Sequence, residues 1–354
     1  SSVNLNKLIQ NIDFKQVDVF IKTLFLDFDY LNSYEELFSN PNIHLHTDII
    51  GNLCKTGNWY NSLEHDHQQF EVIIKKTNSI SVDLSLYQNA GATIIQQLAY
   101  GLAQINEYFN HLDNTIAENK KASLKVIFHV SVGSNYFFEI AKLRALRTLY
   151  GALANEYGFN QNCLIFARPS KRNKTIYDYN TNLLRTTTEC MSAILGGANF
   201  INNLPYDAIY HKNNEFGDRI SRNQLLILKH ESYFDKVRNP SDGTYYIEEL
   251  TNQLAGKALD LFKEIESKGG LLVSLKNGNI QRKIKESATK EQFDFDNGKI
   301  VLLGTNKHPN YADKMSAELE LYPFIKTNKR KTIIEPIIEK RLSEKTEQER
   351  LKTE

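Results

Sequence analysis

The chain has 354 residues, 41% hydrophobic and 11% aromatic, with 43 Lys and Arg set against 42 Asp and Glu, a formal charge of +1. So even a balance gives no global positive field for a polyphosphate backbone and argues against sequence-independent nucleic-acid binding. The aromatic content with a mean hydropathy of −0.45 argues for a packed, soluble fold rather than a disordered chain.

No stretch reaches the ~18 consecutive apolar residues that a membrane span needs. The start, Ser1-Ser2-Val3-Asn4-Leu5-Asn6-Lys7, lacks the basic, apolar and small-residue regions of a signal peptide. Cys54, Cys163 and Cys190 are odd in number and far apart, which fits neither a disulfide framework nor a zinc spacing. The expectation is a cytoplasmic chain with reduced, buried thiols.

In chain order, 20–27 reads as a strand followed by a helical 33–39. The alternating Ile43-His44-Leu45-His46-Thr47 reads as a second strand, ahead of a helical 48–53. Strands are also predicted at 70–74 and 80–84, and a long helix over 92–112. The β-branched 124–130 leads through Ser131-Val132-Gly133-Ser134 into a helix over 135–157, with Gly158 placed as its C-terminal cap. Strand 163–167, helix 181–195, strand 199–201 and helix 216–229 follow. Helices 246–268 and 280–291 precede a last strand at 299–304. Eight strands with interposed helices predict an α/β fold, a (β/α)8 TIM barrel over residues 1–325. A doubly wound sheet is the runner-up, although no GxGxxG or GxxxxGK[ST] follows any strand. Residues 326–354 read as a charged C-terminal helical tail, with 339–347 solvated.

Several polar groupings could carry chemistry. His44 and His46 share one face of a strand, which is how some metal-dependent barrel hydrolases begin a site. That class needs further ligands at other strand ends, and of the other histidines only His129 falls in a strand. The bland reading is two partly exposed histidines, and no metal site is expected. Glu64-His65-Asp66-His67 reads as a solvated loop. Ser131 to Asn135 reads as a tight turn with a helix cap, and Asp218, Arg219 and Arg222 read as a salt-bridged helix face.

Four segments together carry more than any of these. They are NYFFEIAKLRA at 135–145, LRTTTECMSAILGGA at 184–198, EFGDRISRNQ at 215–224 and NPSDGTYYIEELT at 239–251, with AGAT at 90–93 and GTNK at 304–307. In order and spacing, from about residue 80 to 310, they resemble the substrate-binding barrel of the methylmalonyl-CoA mutase family. The resemblance implies adenosylcobalamin-dependent radical interconversion of methylmalonyl-CoA and succinyl-CoA. It also implies a CoA thioester threaded along the barrel axis and a flavodoxin-like domain that holds the cobalamin through a DxHxxG motif.

Residue by residue, the chain departs from the family's catalytic pattern. Where catalytic chains place HCQTSG after a barrel strand, this one reads Phe166-Ala167-Arg168-Pro169-Ser170-Lys171. Phe166 replaces the histidine that bonds the substrate carbonyl, and a phenyl ring neither donates nor accepts a proton. Lys125 stands where the family has an arginine for the substrate carboxylate, keeping charge but losing the bidentate fork. Leu86 takes the place of a histidine near the corrin, and no DxHxxG occurs.

The resemblance therefore implies a non-catalytic small subunit. Its partner would be the catalytic large subunit, adenosylcobalamin would lie in that partner, and this chain would bind no cofactor, nucleic acid or membrane. If the chain were instead an acyl-CoA mutase barrel served by a separate cobalamin-binding subunit, Lys125, Gln88 and Arg168 would be its substrate contacts. A metal-dependent barrel hydrolase built on His44 and His46 is the remaining alternative.

Overall fold

The computed structural model describes residues 5–38, 40–326 and 330–354. Ser1 and Ser2, the last residue of the helix expected at 33–39 and residues 327–329 of the expected tail lie outside this description.

Six strands are present among the described residues: β1 (Val19–Lys22), β2 (Ile43–His46), β3 (Ser79–Asp83), β4 (Lys125–Val132), β5 (Cys163–Pro169) and β6 (Phe200–Ile201). All pairings are parallel. They form a β1-β2 pair and a four-stranded sheet in the order β3-β4-β5-β6. β2 lies beside β3, and the Ser81 hydroxyl donates to the Leu45 carbonyl at 3.5 Å. The order is sequential and never reverses, which removes the doubly wound alternative, since that fold needs a switch point.

The expected strand at 70–74 is instead part of the helix Leu63–Thr77. Phe70, Ile73 and Ile74 are buried together because they fall at i, i+3 and i+4 of one helical face. Ser62 caps that helix by accepting from the His65 amide. Residues 64–67 are therefore its first turns rather than a solvated loop. Asp66 is fully buried and accepts from the Tyr60 and Asn61 amides at 2.7 and 3.1 Å. The expected strand at 299–304 is also absent: the segment is irregular apart from a single bridge between Leu303 and Lys307.

Burial alternates along β5. Cys163, Ile165 and Ala167 are buried, while Leu164, Phe166 and Arg168 are only partly so. The register aligns Leu164 with Ile127, Phe166 with His129 and Arg168 with Ser131, so these residues line the concave face of the sheet, here called the lumen. The opposite face is covered by helices, among them Ile94–Leu112, Tyr136–Glu156 and Tyr245–Ser267, which pack on one another. Thr93 and Gln96 start the first of these with a reciprocal capping box, a device worth about 1 kcal/mol. Gly158, at φ +70°, follows the end of the second, as its sequence position predicts.

The C-terminal segment departs most from expectation. Its polar sequence predicts a solvated tail, yet Ile334, Ile337, Arg341, Leu342, Ser343, Glu344 and Glu347 are buried. Residues 330–343 form a strap across the loops that follow the strands. The Ile334 amide donates to Gly57, Ile337 to Cys54, Lys340 to Asn89 and Leu342 to Arg172. Arg341 and Glu347 pair at 2.6 Å while no more than 5% exposed, and Arg341 also donates to the Lys174 carbonyl. Among the described residues of this region only 344–351 are helical.

Candidate functional site

In a parallel β/α fold the loops at the C-terminal ends of the strands carry the chemistry, and the lumen face of β1–β6 leads up to them. Phe20 of β1 occupies that face. Its ring stacks on His44 at 4.6 Å between centroids and meets Phe166 at 4.7 Å and Phe200 at 4.8 Å. Phe166 also lies 5.1 Å from His129. Four strands thus contribute rings, those of Phe20, His44, Phe166 and Phe200, to one plug across the lumen.

Above the plug lies a polar layer with one side chain from each of four strands. Lys22 ends β1, His46 ends β2, Asp83 ends β3 and His129 lies on β4, aligned with Asp83. The Lys22 ammonium is 3.0 Å from Asp83 Oδ2, and His46 Nε2 is 4.0 Å from the same oxygen. The rings of His46 and His129 meet edge to face at 4.2 Å. Burial pushes His129 down to about 4, against the opposing pull of Asp83. Burial and the neighbouring His129 hold His46 well below its ordinary value. Both imidazoles are therefore neutral near pH 7. Burial acts to raise Asp83, but the positive charge of Lys22 beside it outweighs this and holds the carboxyl well below the usual range.

The sequence-derived candidates do not converge. Lys125 begins β4, and its ammonium donates to the Pro41 carbonyl at 3.1 Å. Arg168 aligns with Ser131, six residues further along β4, so the two lie roughly 20 Å apart at ~3.3 Å per residue. They belong to opposite ends of the lumen and cannot share one mouth. Gln88 is buried and spent: its amide nitrogen donates to Glu139 at 3.1 Å and its oxygen accepts from Lys142 at 2.7 Å. Leu86 is 6% exposed and part of the apolar core. His44 Nε2 is 2.8 Å from Asp18, away from His46's partners. Among the described residues no three His, Cys, Asp or Glu side chains gather in a metal-holding arrangement.

Sequence reasoning missed Phe20, Lys22 and Asp83, which belong to ordinary-looking strands and acquire meaning only from register. It also missed the charge network below the mouth, although Glu139 and Lys142 stand inside the family-like segment 135–145. These two pair while 4% and 1% exposed. Lys142 also donates to Gln97 and the Ser131 carbonyl, and Glu139 accepts from the Gly133 amide at 2.9 Å. Burial pushes the Lys142 ammonium down and Glu139 pulls it back. The network rigidifies the turn after β4 and leaves no group free to react. All three cysteines are buried and unpaired with one another, and among the described residues no helix is long and apolar enough to cross a membrane.

A methylmalonyl-CoA mutase small subunit of Porphyromonas gingivalis is 39% identical over 249 residues, which is 69% of this chain and 40% of that one. A methylmalonyl-CoA mutase of Rhizobium meliloti is 35% identical over 66% of this chain and 33% of its own length. The large subunit of Propionibacterium freudenreichii subsp. shermanii is 32% identical over 66% and 33%. The chain thus spans two fifths or less of these relatives' lengths. The family described as methylmalonyl-CoA mutase matches residues 44–353, and the chain belongs to that family.

Proposed function

We propose that the chain acts as the non-catalytic small subunit of a heterodimeric, adenosylcobalamin-dependent methylmalonyl-CoA mutase. In this reading it supports a catalytic large subunit that interconverts methylmalonyl-CoA and succinyl-CoA. The observation that carries the reading is the plug of Phe20, Phe166 and Phe200, which stands where the thioester would thread, with a phenyl ring at the position of the carbonyl-bonding histidine.

Two further observations support it. The strap lies over the loops after β2, β3 and β5, on the face where barrel chemistry takes place. Leu86 offers a corrin ring neither a lone pair nor a proton, and Lys340 of the strap is bonded to the Asn89 carbonyl at the end of the same short helix, Ser85–Asn89. The residues present do not fit adenosylcobalamin, so no step through it is assigned to this chain. The sequential parallel order of the strands supports a barrel-type subunit, and association with a homologous large subunit would be pseudo-symmetric.

Size-exclusion chromatography of this chain mixed with its cognate large subunit at micromolar concentration tests the proposal. Co-elution as one 1:1 species is expected, and elution of two separate chains refutes it.

A further inference from the structure

Between the helix Asn279–Asp296 and the strap lies a cavity of about 550 Å³, lined in part by Ile284, Ala288, Phe293, Ile325, Ile337 and Ile338. The charged and amide groups in its wall are mostly committed elsewhere. Lys285 pairs with Glu335. Arg172 donates to Glu291 at 2.6 Å and to the Lys340 carbonyl at 2.7 Å. Gln292 donates to Asp296 and to the Leu342 carbonyl. Gln281 donates to the Leu275 and Glu335 carbonyls, and its Oε1 lies buried without a partner. An apolar body can enter such a cavity without stripping water from an unpaired charge.

A second cavity, of about 420 Å³, adjoins the first, with Arg172, Ile325 and Lys340 in both walls. Its remaining wall includes Asn89, Lys171, Tyr322, Lys326, Glu339 and Glu344. Its charge is of a different kind. Among the described residues the side chains of Lys171 and Lys340 make no hydrogen bond or ion pair, and the Lys326 ammonium meets only the Tyr322 ring, 5.5 Å from its centroid. Both oxygens of Glu344 are taken by the amides of Arg341 and Ile325, at 2.8 and 3.2 Å. Glu339 has one oxygen on the Asn89 amide group at 2.8 Å. Three exposed ammoniums therefore face one half-committed carboxylate, and the cavity favours a negative group.

The lysines are carried on fixed backbone. Asn89 is 5% exposed. Its Oδ1 accepts from the Lys171 amide at 3.0 Å, and its carbonyl accepts from the Lys340 amide at 3.0 Å. One buried residue thus holds the loop after β5 and the strap together at the junction of the two cavities.

We infer that the two cavities together bind a single-chain amphiphile with an anionic head. Its alkyl chain would lie between the helix and the strap, and its head among Lys171, Lys326 and Lys340. The apolar cavity alone gives no reason for a charge, and the basic cavity alone gives none for a chain; their shared wall joins the two. The site does not depend on the partner reading.

Titration calorimetry of the chain with hexanoate, octanoate and decanoate, each below its micellisation concentration, tests the site, with octanol as the headless control. The expected result is one saturable site whose affinity rises roughly threefold per added methylene. Octanol should bind about tenfold more weakly than octanoate, and the double variant Lys171→Gln, Lys340→Gln should lose about tenfold for decanoate. Thr289→Trp, an exposed substitution in the wall of the apolar cavity, should remove the dependence on chain length; Ile338→Asp gives the same readout if that variant does not fold. Three results overturn the proposal: no saturable binding of decanoate, equal affinity for octanoate and octanol, or folded variants that bind decanoate as the parent does. Binding to phosphatidylglycerol vesicles without binding to decanoate would assign the face to a membrane surface and overturn it equally.

Discussion

Phe20 of β1 and Phe166 of β5 meet across the lumen with 4.7 Å between ring centroids and 61° between planes, although no backbone hydrogen bond joins their strands. Edge-to-face contacts of this kind are worth ~1 kcal/mol beyond area burial. The contact ties β1 to β5 across the lumen. Phe166→Ala should destabilise the fold by about 3 kcal/mol, seen as a lower urea midpoint with an unchanged slope. Phe166→His places an imidazole where the proposed reading puts the family's carbonyl-bonding histidine, yet no turnover should appear, because Lys125 lies at the far end of the lumen. Isomerisation by that variant alone would show that the ring at position 166, and not the distance to Lys125, keeps the chain from turning over.

The Glu139–Lys142 pair separates structural from functional charge. Lys142→Met leaves a buried carboxylate without its counter-ion and should cost 3–5 kcal/mol, whereas Lys142→Met with Glu139→Leu should recover most of that loss. Chemical denaturation of the three variants checks this. A double variant no more stable than the single one would mean that the hydrogen bonds to Gln88 and Gly133, not the charge pair, set the cost.

Acid stability follows from the two neutral imidazoles. The folded-state value of His129, about 4, is below the unfolded ~6.5. Its contribution is therefore fully present above pH 6.5 and is lost as pH falls through about 4. By linkage this amounts to about 3 kcal/mol. Asp83, held below its ordinary range, adds a loss of the same sign at lower pH. Thermal unfolding between pH 7 and 4 should show a steep decline that His129→Gln flattens. Parallel curves for the two proteins would remove His129 as the source.

Gly57 tests the strap. It sits at φ +79°, and a Cβ there would lie 2.7 Å from the Ile334 carbonyl oxygen. Gly57→Ala therefore meets both backbone strain and the strap itself. Hydrogen exchange should quicken at Ile334 and Ile337, whose amides bond to Gly57 and Cys54, while β4 keeps its protection. Unchanged exchange along the strap would show that it is held from β5 alone.

The sequence makes the α/β class, the parallel strands flanking 125–132 and the long helices legible, because their periods are long and their caps are standard. It misleads where two signals coincide. The run Phe70-Glu71-Val72-Ile73-Ile74 suits a strand until Ser62 and Asp66 are seen to start a helix ahead of it. The run 299–304 is apolar enough for a strand but gains only a single bridge. In the strap, Arg341, Glu344 and Glu347 look solvated because polarity in sequence does not reveal a buried ion pair. The resemblance implies that Phe166 and Leu86 stand where catalytic chains carry histidines, and the structure places Phe166 in the plug and Leu86 in the core. The separation of Lys125 and Arg168 was not legible, because only the register between β4 and β5 shows that they stand at opposite ends.

The most direct test of the account is turnover by the isolated chain. The purified chain is incubated with adenosylcobalamin and methylmalonyl-CoA, with and without the cognate large subunit, and succinyl-CoA is quantified. The account predicts no product above the protein-free background for the chain alone and isomerisation only when the large subunit is present. Product that scales with the concentration of this chain in the absence of the large subunit would contradict it.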